Sequence, residues 1–365
     1  MENMKIPEIH HFGAIMAPEV AEMHTEPMQQ TLGPKDILVK MLICNICTND
    51  YQTWQAKRSS KNKFPMASGH EWVGDVVAIG EDVKLFQIGD RVGQCSAGCG
   101  ECIMCRMGHT EQCMMPKSKG GWKPVGGFYG KRCFSDYQVF QQNQLIRMNK
   151  DLPPQLTAFL EPVSTAVGGA RKLNAPKGDT IVIIGAGSMG IVNALVYHAL
   201  GYRVIITELT EKKLARARSM GWAEVVDSKA VDPVQAVMEL TDGFGADAVI
   251  PCVGLSAVYA QAQQMIKKHD GKILLFPAGY PEPTMDVNPN EIHYNRAEII
   301  GTYGGEVEDI VLASRLINSG AVDPSYAWEG ETFPLYQIQE AYVRAATPDM
   351  YRISVDLQKV SEEEA

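Results

Sequence analysis

Five of the nine cysteines fall in the stretch CSAGCGECIMCRMGHTEQC, and four of them, Cys99, Cys102, Cys105 and Cys113, have the spacing C-x2-C-x2-C-x7-C. Gly98, Gly100 and Gly108 let the backbone fold tightly between them. Four thiolates close a tetrahedral shell around zinc, and a closed shell leaves no position for water or substrate, so such an ion is structural. Reduced buried thiols and an iron–sulfur cluster are the other readings of the same residues. His109 lies inside this lobe (95–113), but four cysteines already complete the shell, so it reads as a surface residue. The odd cysteine total and the clustering argue against a disulfide framework.

A second group has the chemistry to bind phosphate. From Thr180 the chain reads TIVIIGAGSMGIVNALVYHALGYRVIITE, in which Gly185, Gly187 and Gly190 form G-x-G-x-x-G after an apolar run and before a helical pattern that includes Ser188 and Met189. The first glycine permits the turn, the second lets a pyrophosphate approach the backbone, and the third lets helix and strand pack closely. Free amides and the helix dipole then hold the phosphates. Glu208 closes the second strand, 18 residues after Gly190, where a carboxylate accepts both ribose hydroxyls of NAD and repels the 2′-phosphate of NADP. NAD is therefore the expected cofactor.

The elements that must carry these groups follow from pattern and length. Apolar stretches near Ala248 to Pro251, Lys272 to Phe276 and Glu298 to Gly301 alternate with helical segments such as Ala257 to Lys268, which is the pattern of a doubly wound parallel sheet. The 365 residues suffice for two domains, each with its own core. With 34 Lys+Arg against 43 Asp+Glu the net charge is −9, which argues against a nonspecific nucleic-acid binder and for a small-molecule partner. The first residues lack a basic stretch followed by an apolar one, and no run of about 18 apolar residues occurs, so the expectation is a soluble cytoplasmic protein without a membrane segment.

A cysteine lobe ahead of a dinucleotide fold resembles the zinc-dependent medium-chain dehydrogenase/reductase family, of the alcohol dehydrogenase superfamily, and within it the sorbitol or polyol dehydrogenase-like branch. The resemblance also rests on NICTNDYQ from Asn45, GHEWVGDVVAIG from Gly69, GDRV from Gly89, and the LEP segment from Leu160. It implies an α/β fold with a GroES-like β-barrel catalytic domain, residues 1–162 and 303–365, and an inserted Rossmann domain, residues 163–302. It also implies two zinc ions per chain, one catalytic and one structural. The catalytic ion maps to Cys47 and His70 with Glu71 and Glu161, and Asp50 maps to the carboxylate that orients the ligand histidine. Glu161, where simple alcohol dehydrogenases have cysteine, is the mark of the polyol branch. Arg352, in YRISVDL, matches a basic residue placed against the cofactor pyrophosphate. The other four cysteines, Cys44, Cys95, Cys133 and Cys252, read as ordinary reduced thiols.

The implied reaction is hydride transfer between NAD and a secondary hydroxyl of a polyol, sugar alcohol or its phosphate, in a homodimer or homotetramer. The chain departs from its relatives at Asn49 and Gln52, where a serine or threonine and a histidine usually form a proton relay. Neither amide titrates near neutral pH, so the proton must leave by Glu71, Glu161, water or a substrate hydroxyl. Asn49 and Gln52 either hydrogen-bond a polyhydroxylated substrate or have simply drifted. The basic stretch AKRSSKNKF, with Lys57, Arg58, Lys61 and Lys63, either recognises an anionic substrate group or is a solvated loop. Trp54, together with Trp122, Phe128 and Tyr129, either walls the substrate cleft or packs in a core or subunit contact. Two rival functions share these features: an epimerase, isomerase or lyase that cycles bound NAD internally, and a nonenzymatic NAD-binding redox sensor.

Overall fold

The structure is a computed structural model and describes residues 4–58, 63–95, 98–115 and 126–364. Lys61 and Trp122 therefore lie outside the described residues. The chain divides into two compact units, one of Met1–Ser164, Gly305–Gly320 and Trp328–Ala365, the other of Thr165–Gly304 and Ala321–Ala327. The short return of 321–327 to the second unit is a feature that sequence pattern does not show. The Arg216 guanidinium holds it, donating to the carbonyls of Ser325 and Tyr326 at 3.2 and 3.3 Å.

In chain order the first unit begins with β1 (Ile9–Ala17) and β2 (Val20–Pro27), an antiparallel hairpin. Then come β3 (Asp36–Asn45), β4 (Glu71–Ile79), β5 (Arg91–Gln94), β6 (Tyr137–Gln141) and β7 (Leu145–Arg147). The second unit contributes β8 (Thr180–Ile184), β9 (Arg203–Glu208), β10 (Glu224–Asp227), β11 (Ala248–Pro251), β12 (Lys272–Leu275) and β13 (Glu298–Gly301). These six form one parallel sheet in the order β10-β9-β8-β11-β12-β13, the doubly wound arrangement in which strand order reverses at β8. Val182, Ile205, Val249 and Ile273 bury fully in its core, because parallel strands covered by helices on both faces must be apolar on both.

The chain then returns to the first unit with β14 (Trp328–Pro334) and β15 (Arg352–Asp356). The larger sheet of that unit runs β14-β15-β3-β4-β5-β7, with β6 also paired to β3. Its centre is β3, whose Ile37, Val39 and Met41 are fully buried, and Trp72 on β4 stacks on Phe140 at 4.6 Å. Register decides what this sheet positions. Asn45 at the end of β3 pairs with Glu71, the first residue of β4, and with Ser354 on β15. One end of the sheet thereby collects the segment after β3, the segment before β4, and Arg352. Among the described residues no helix is long and apolar enough to cross a membrane.

Candidate active site and metal centres

Beyond β3 the chain turns into the helix Thr48–Trp54, with Cys47 as its N-cap. The sulfur accepts the Asn49 N–H at 3.4 Å, and the Asp50 carboxylate reaches back to the Cys47 N–H at 3.1 Å, so cap and third helical residue satisfy each other. Asp50 is buried and its other oxygen faces Gly69 N–H at 3.4 Å and His70 Nδ1 at 3.7 Å. Gly69 is required there. Its φ is +95°, and a Cβ would sit 2.9 Å from the Phe134 amide nitrogen. With the turn fixed, Cys47 Sγ, a His70 ring nitrogen and a Glu71 carboxylate oxygen all fall within 4.8 Å of one another.

Glu71 is fully buried, and a buried carboxylate needs a countercharge. Arg352 supplies it. Its Nε donates to both Glu71 oxygens at 3.2 and 3.0 Å and its Nη2 to one of them at 2.9 Å, while Nη1 reaches Thr48 Oγ1 at 3.3 Å and Nη2 reaches Cys47 Sγ at 3.5 Å. Burial pushes the Cys47 thiol up although Arg352 opposes it. Burial likewise raises Asp50 and Glu161, with His70 pulling both down. For His70 burial disfavours charge, yet Asp50, Cys47 and Glu161 outweigh it and lift the imidazole to about 10. The spot holds more acid than base and draws positive charge onto its histidine. A thiolate, an imidazole and a carboxylate within reach of one ion are a fitting donor set for zinc, which would supply that charge in place of the proton.

The four lobe thiols also lie within 4.8 Å of one another. Cys99 Sγ accepts the Cys102 and Glu101 N–H groups at 3.3 and 3.4 Å, and Cys102 Sγ accepts Met114 N–H at 3.4 Å. Backbone donors at Cys105 and Met114 bring the Cys102 thiol down to about 6. Four thiols within reach of one ion are a fitting donor set for a closed zinc site, and His109 stands outside the cluster, half-exposed. Glu306 fastens the lobe. Its Oε2 accepts Thr110 Oγ1 and the Glu111 N–H, both at 3.0 Å.

In the second unit β8 runs into Gly185 (φ +97°), and a Cβ on Gly190 would lie 1.8 Å from the Gly185 carbonyl oxygen. A Cβ on Gly187 would meet nothing, which leaves its backbone open to a ligand. Gly187 is the N-cap of the helix Ser188–Ala199 and offers no side-chain cap, so the positive end of the helix faces the open backbone of the turn, the arrangement that receives an anion. Glu208 ends β9 beside this turn. One oxygen accepts the Ala186 N–H at 2.7 Å and the other the Leu209 and Thr210 N–H groups at 2.7 and 2.9 Å.

Residues 33–150 match the model of the alcohol dehydrogenase GroES-like domain, and residues 177–319 that of the zinc-binding dehydrogenase domain. The chain is 33% identical over 313 residues to an L-threonine 3-dehydrogenase of Aeromonas salmonicida, covering 83% of this chain and 86% of that one. It belongs to the zinc-dependent medium-chain dehydrogenases of the alcohol dehydrogenase superfamily. Solved structures agree on the fold. An alcohol dehydrogenase from Thermus sp. ATN1 superposes with TM-score 0.81 at 23% identity, over 95% of this chain and 99% of that one. A 2R,3R-butanediol dehydrogenase from Bacillus subtilis gives 0.77 at 20%, over 95% and 99%. Zinc and a nicotinamide cofactor come with the family, as does an oxidoreductase acting on a small molecule.

Within this dehydrogenase the expected residues differ in what surrounds them. Arg352 is 3% exposed and turned onto Glu71, Thr48 and Cys47, because a buried guanidinium seeks a carboxylate. Trp54 does not wall a cleft. It is 5% exposed and stacks on Tyr342 at 5.9 Å, inside the core. Phe128 packs edge-on against Phe12 at 5.1 Å, and Lys63 sits over the Tyr129 ring at 5.3 Å. Asn49 is exposed, Gln52 and Arg58 are half-buried, and Lys57 is exposed. Cys44, Cys95 and Cys133 are buried free thiols, and Cys252 is a half-buried one. Sequence reasoning missed Glu306 and Tyr342, whose partners are remote in the chain; only the tertiary fold reveals them.

Proposed function

We propose that this dehydrogenase transfers a hydride between NAD(H) and a secondary alcohol carrying a neighbouring polar group, with a polyol, sugar alcohol or its phosphate as the substrate class. The observation that carries the reading is the convergence of Cys47, His70 and Glu71 on one partly buried, acid-rich spot. Cys47 and His70, with an acid from Glu71 or Glu161, hold the catalytic zinc, and Cys99, Cys102, Cys105 and Cys113 hold the structural one. When bound, the catalytic ion is a Lewis acid that makes a hydroxyl easier to deprotonate and polarises a ketone in the reverse direction.

The chain's own groups do the rest. Asp50 faces His70 Nδ1 at 3.7 Å and biases the orientation of the ring by its charge. Glu71 is held by Arg352, so Glu161, whose carboxyl burial already shifts toward proton binding, is the better acceptor for the hydroxyl proton that Asn49 and Gln52 cannot take. The glycine turn binds the pyrophosphate at the N-terminus of the helix that opens with Ser188 and Met189, where the Gly187 backbone is open, and Glu208 selects NAD by repelling a 2′-phosphate.

A second substrate reading is L-threonine, favoured by the relatives that share a third of their residues with this chain; its side-chain hydroxyl is also a secondary alcohol, beside an amino group. One experiment separates the readings. NADH formation is followed by absorbance with NAD or NADP against matched polyols, polyol phosphates and L-threonine. A polyol or its phosphate turned over with NAD at the highest kcat/KM supports the first reading, preference for L-threonine the second, and NADP preference contradicts the role of Glu208. Equal KM for phosphorylated and free polyols removes the basic stretch at Lys57, Arg58, Lys61 and Lys63 from substrate recognition.

A further inference from the structure

Behind the metal-binding face, one buried side chain touches both segments that carry the ligands. Tyr342, on the helix Ile338–Ala345, is 1% exposed. Its ring stacks on Trp54 at 5.9 Å and 14°, the last residue of the helix that carries Asp50 and is capped by Cys47. Its hydroxyl shares a 2.7 Å hydrogen bond with Ser68 Oγ, two residues before His70. Its ring also meets Phe134 edge-on at 6.1 Å, and Phe134 is the residue that Gly69 crowds against. The Ser68 carbonyl in turn accepts the Cys133 N–H at 3.0 Å. The Ser68–Gly69–His70 turn is thus pinned from behind by one phenol, and that phenol rests on the helix of Cys47.

We propose that Tyr342 is a positioning residue for the catalytic metal site, setting the place of His70 against Cys47 through its hydrogen bond to Ser68 and its stack on Trp54. Backbone groups also hold the turn, with Cys133 N–H on the Ser68 carbonyl at 3.0 Å and Gly69 N–H on the Asp50 carboxylate at 3.4 Å, and the phenol adds the side-chain link from this turn to Trp54. The His70 Nδ1 to Asp50 separation of 3.7 Å is too long for a good hydrogen bond, so Asp50 alone does not lock the ring. Burial raises the phenol well above its ordinary range, and Asp50 adds to this while the Ser68 hydrogen bond opposes it, so the hydroxyl is held in its protonated form. Loss of an outer partner of a metal ligand costs about 10–100-fold in metal affinity.

The inference rests on the assignment of the catalytic ion to Cys47 and His70, and the experiment keeps the two apart. Zinc is counted in the wild-type protein, Tyr342→Phe and Ser68→Ala, zinc release to a chelator is timed, and the visible spectrum is recorded after replacement of the faster-exchanging ion by cobalt(II). Tyr342→Phe keeps the ring and its stack and removes only the hydroxyl; Ser68→Ala removes the same bond from the other side, so it carries the test if the first variant folds poorly. The expected result is two zinc ions per wild-type chain, about tenfold faster release of one of them in either variant with the other unchanged, no further acceleration in the double variant, and altered cobalt bands. A single zinc in the wild type means that the metal-site assignment fails. Two zinc ions with cobalt bands in both variants identical to wild type overturn the role of Tyr342, whatever happens to melting temperature or release rate.

Discussion

Replacing Arg352 by leucine tests whether Glu71 depends on it. The guanidinium and the Glu71 carboxylate are 4% and 0% exposed, and Arg352 delivers three hydrogen bonds to that carboxylate in addition to its contacts with Thr48 and Cys47. Truncating one partner of such a pair strands the other charge in a medium that cannot solvate it, a loss of about 3–5 kcal/mol. For a unit of this size that lowers the melting temperature by roughly 6–20 °C. Arg352→Lys keeps a charge but cannot reproduce the planar fork, so it should lose about 1.5–3 kcal/mol, the worth of a hydrogen bond to a charged group. The double replacement Glu71→Leu with Arg352→Leu should be more stable than Arg352→Leu alone, since no charge is then left unpaired. Thermal melts followed by circular dichroism at fixed zinc concentration and pH read all three. A loss below about 1 kcal/mol for Arg352→Leu, or a double variant less stable than the single, refutes the buried-pair argument.

Three further outcomes are expected. Cys47→Ala should abolish turnover and leave the fold, whereas Cys102→Ala should mainly destabilise, and zinc analysis should show one ion lost in each; the reverse pattern overturns the assignment of the two centres. Glu306→Ala removes the acceptor of Thr110 Oγ1 and Glu111 N–H and should speed release of the lobe zinc several-fold while the cobalt spectrum of the other site stays as in wild type, which a chelator time course checks. Burial holds His10 below its ordinary 6.5, against the pull of Asp136. Above 6.5 both folded and unfolded chains carry it neutral; as pH falls from there toward the lowered folded value the unfolded state gains the proton first, so stability drops. Denaturation midpoints between pH 7 and 5 should fall less steeply in His10→Gln, and identical slopes would rule His10 out.

What the sequence shows about this site divides by distance along the chain. The lobe was readable because its four ligands lie within fifteen residues and zinc needs nothing else. The glycine turn was readable for the same reason, since strand, turn and helix are consecutive and Gly190 can be nothing larger against the Gly185 carbonyl. Cys47, His70 and Glu71 were legible only through resemblance, because no local spacing brings β3 and β4 into register. For the same reason the sequence does not pair Arg352 with a carboxylate. Its partner Glu71 is 281 positions away, and the pairing of β15 with β3 decides the contact. Trp54 stays open between cleft and core for a related reason: an aromatic residue at a helix end looks the same in sequence whether it faces a cleft or the Tyr342 ring.

The departure at Asn49 has a structural explanation for why the fold accepts it. What Cys47 takes from this position is the backbone N–H, given to its sulfur at 3.4 Å, and any residue except proline donates that. The side chain at 49 is exposed and serves no cap, and the reach of Asp50 back to Cys47 is independent of it. The side chain at 49 can therefore change to an amide without disturbing the helix start or the residues that face the metal position. Proton transfer is then the one step of the reaction free to be rebuilt on other groups. Glu161, at the start of the helix Leu160–Leu173, is the group we propose for it, since burial raises its carboxyl while His70 opposes the shift.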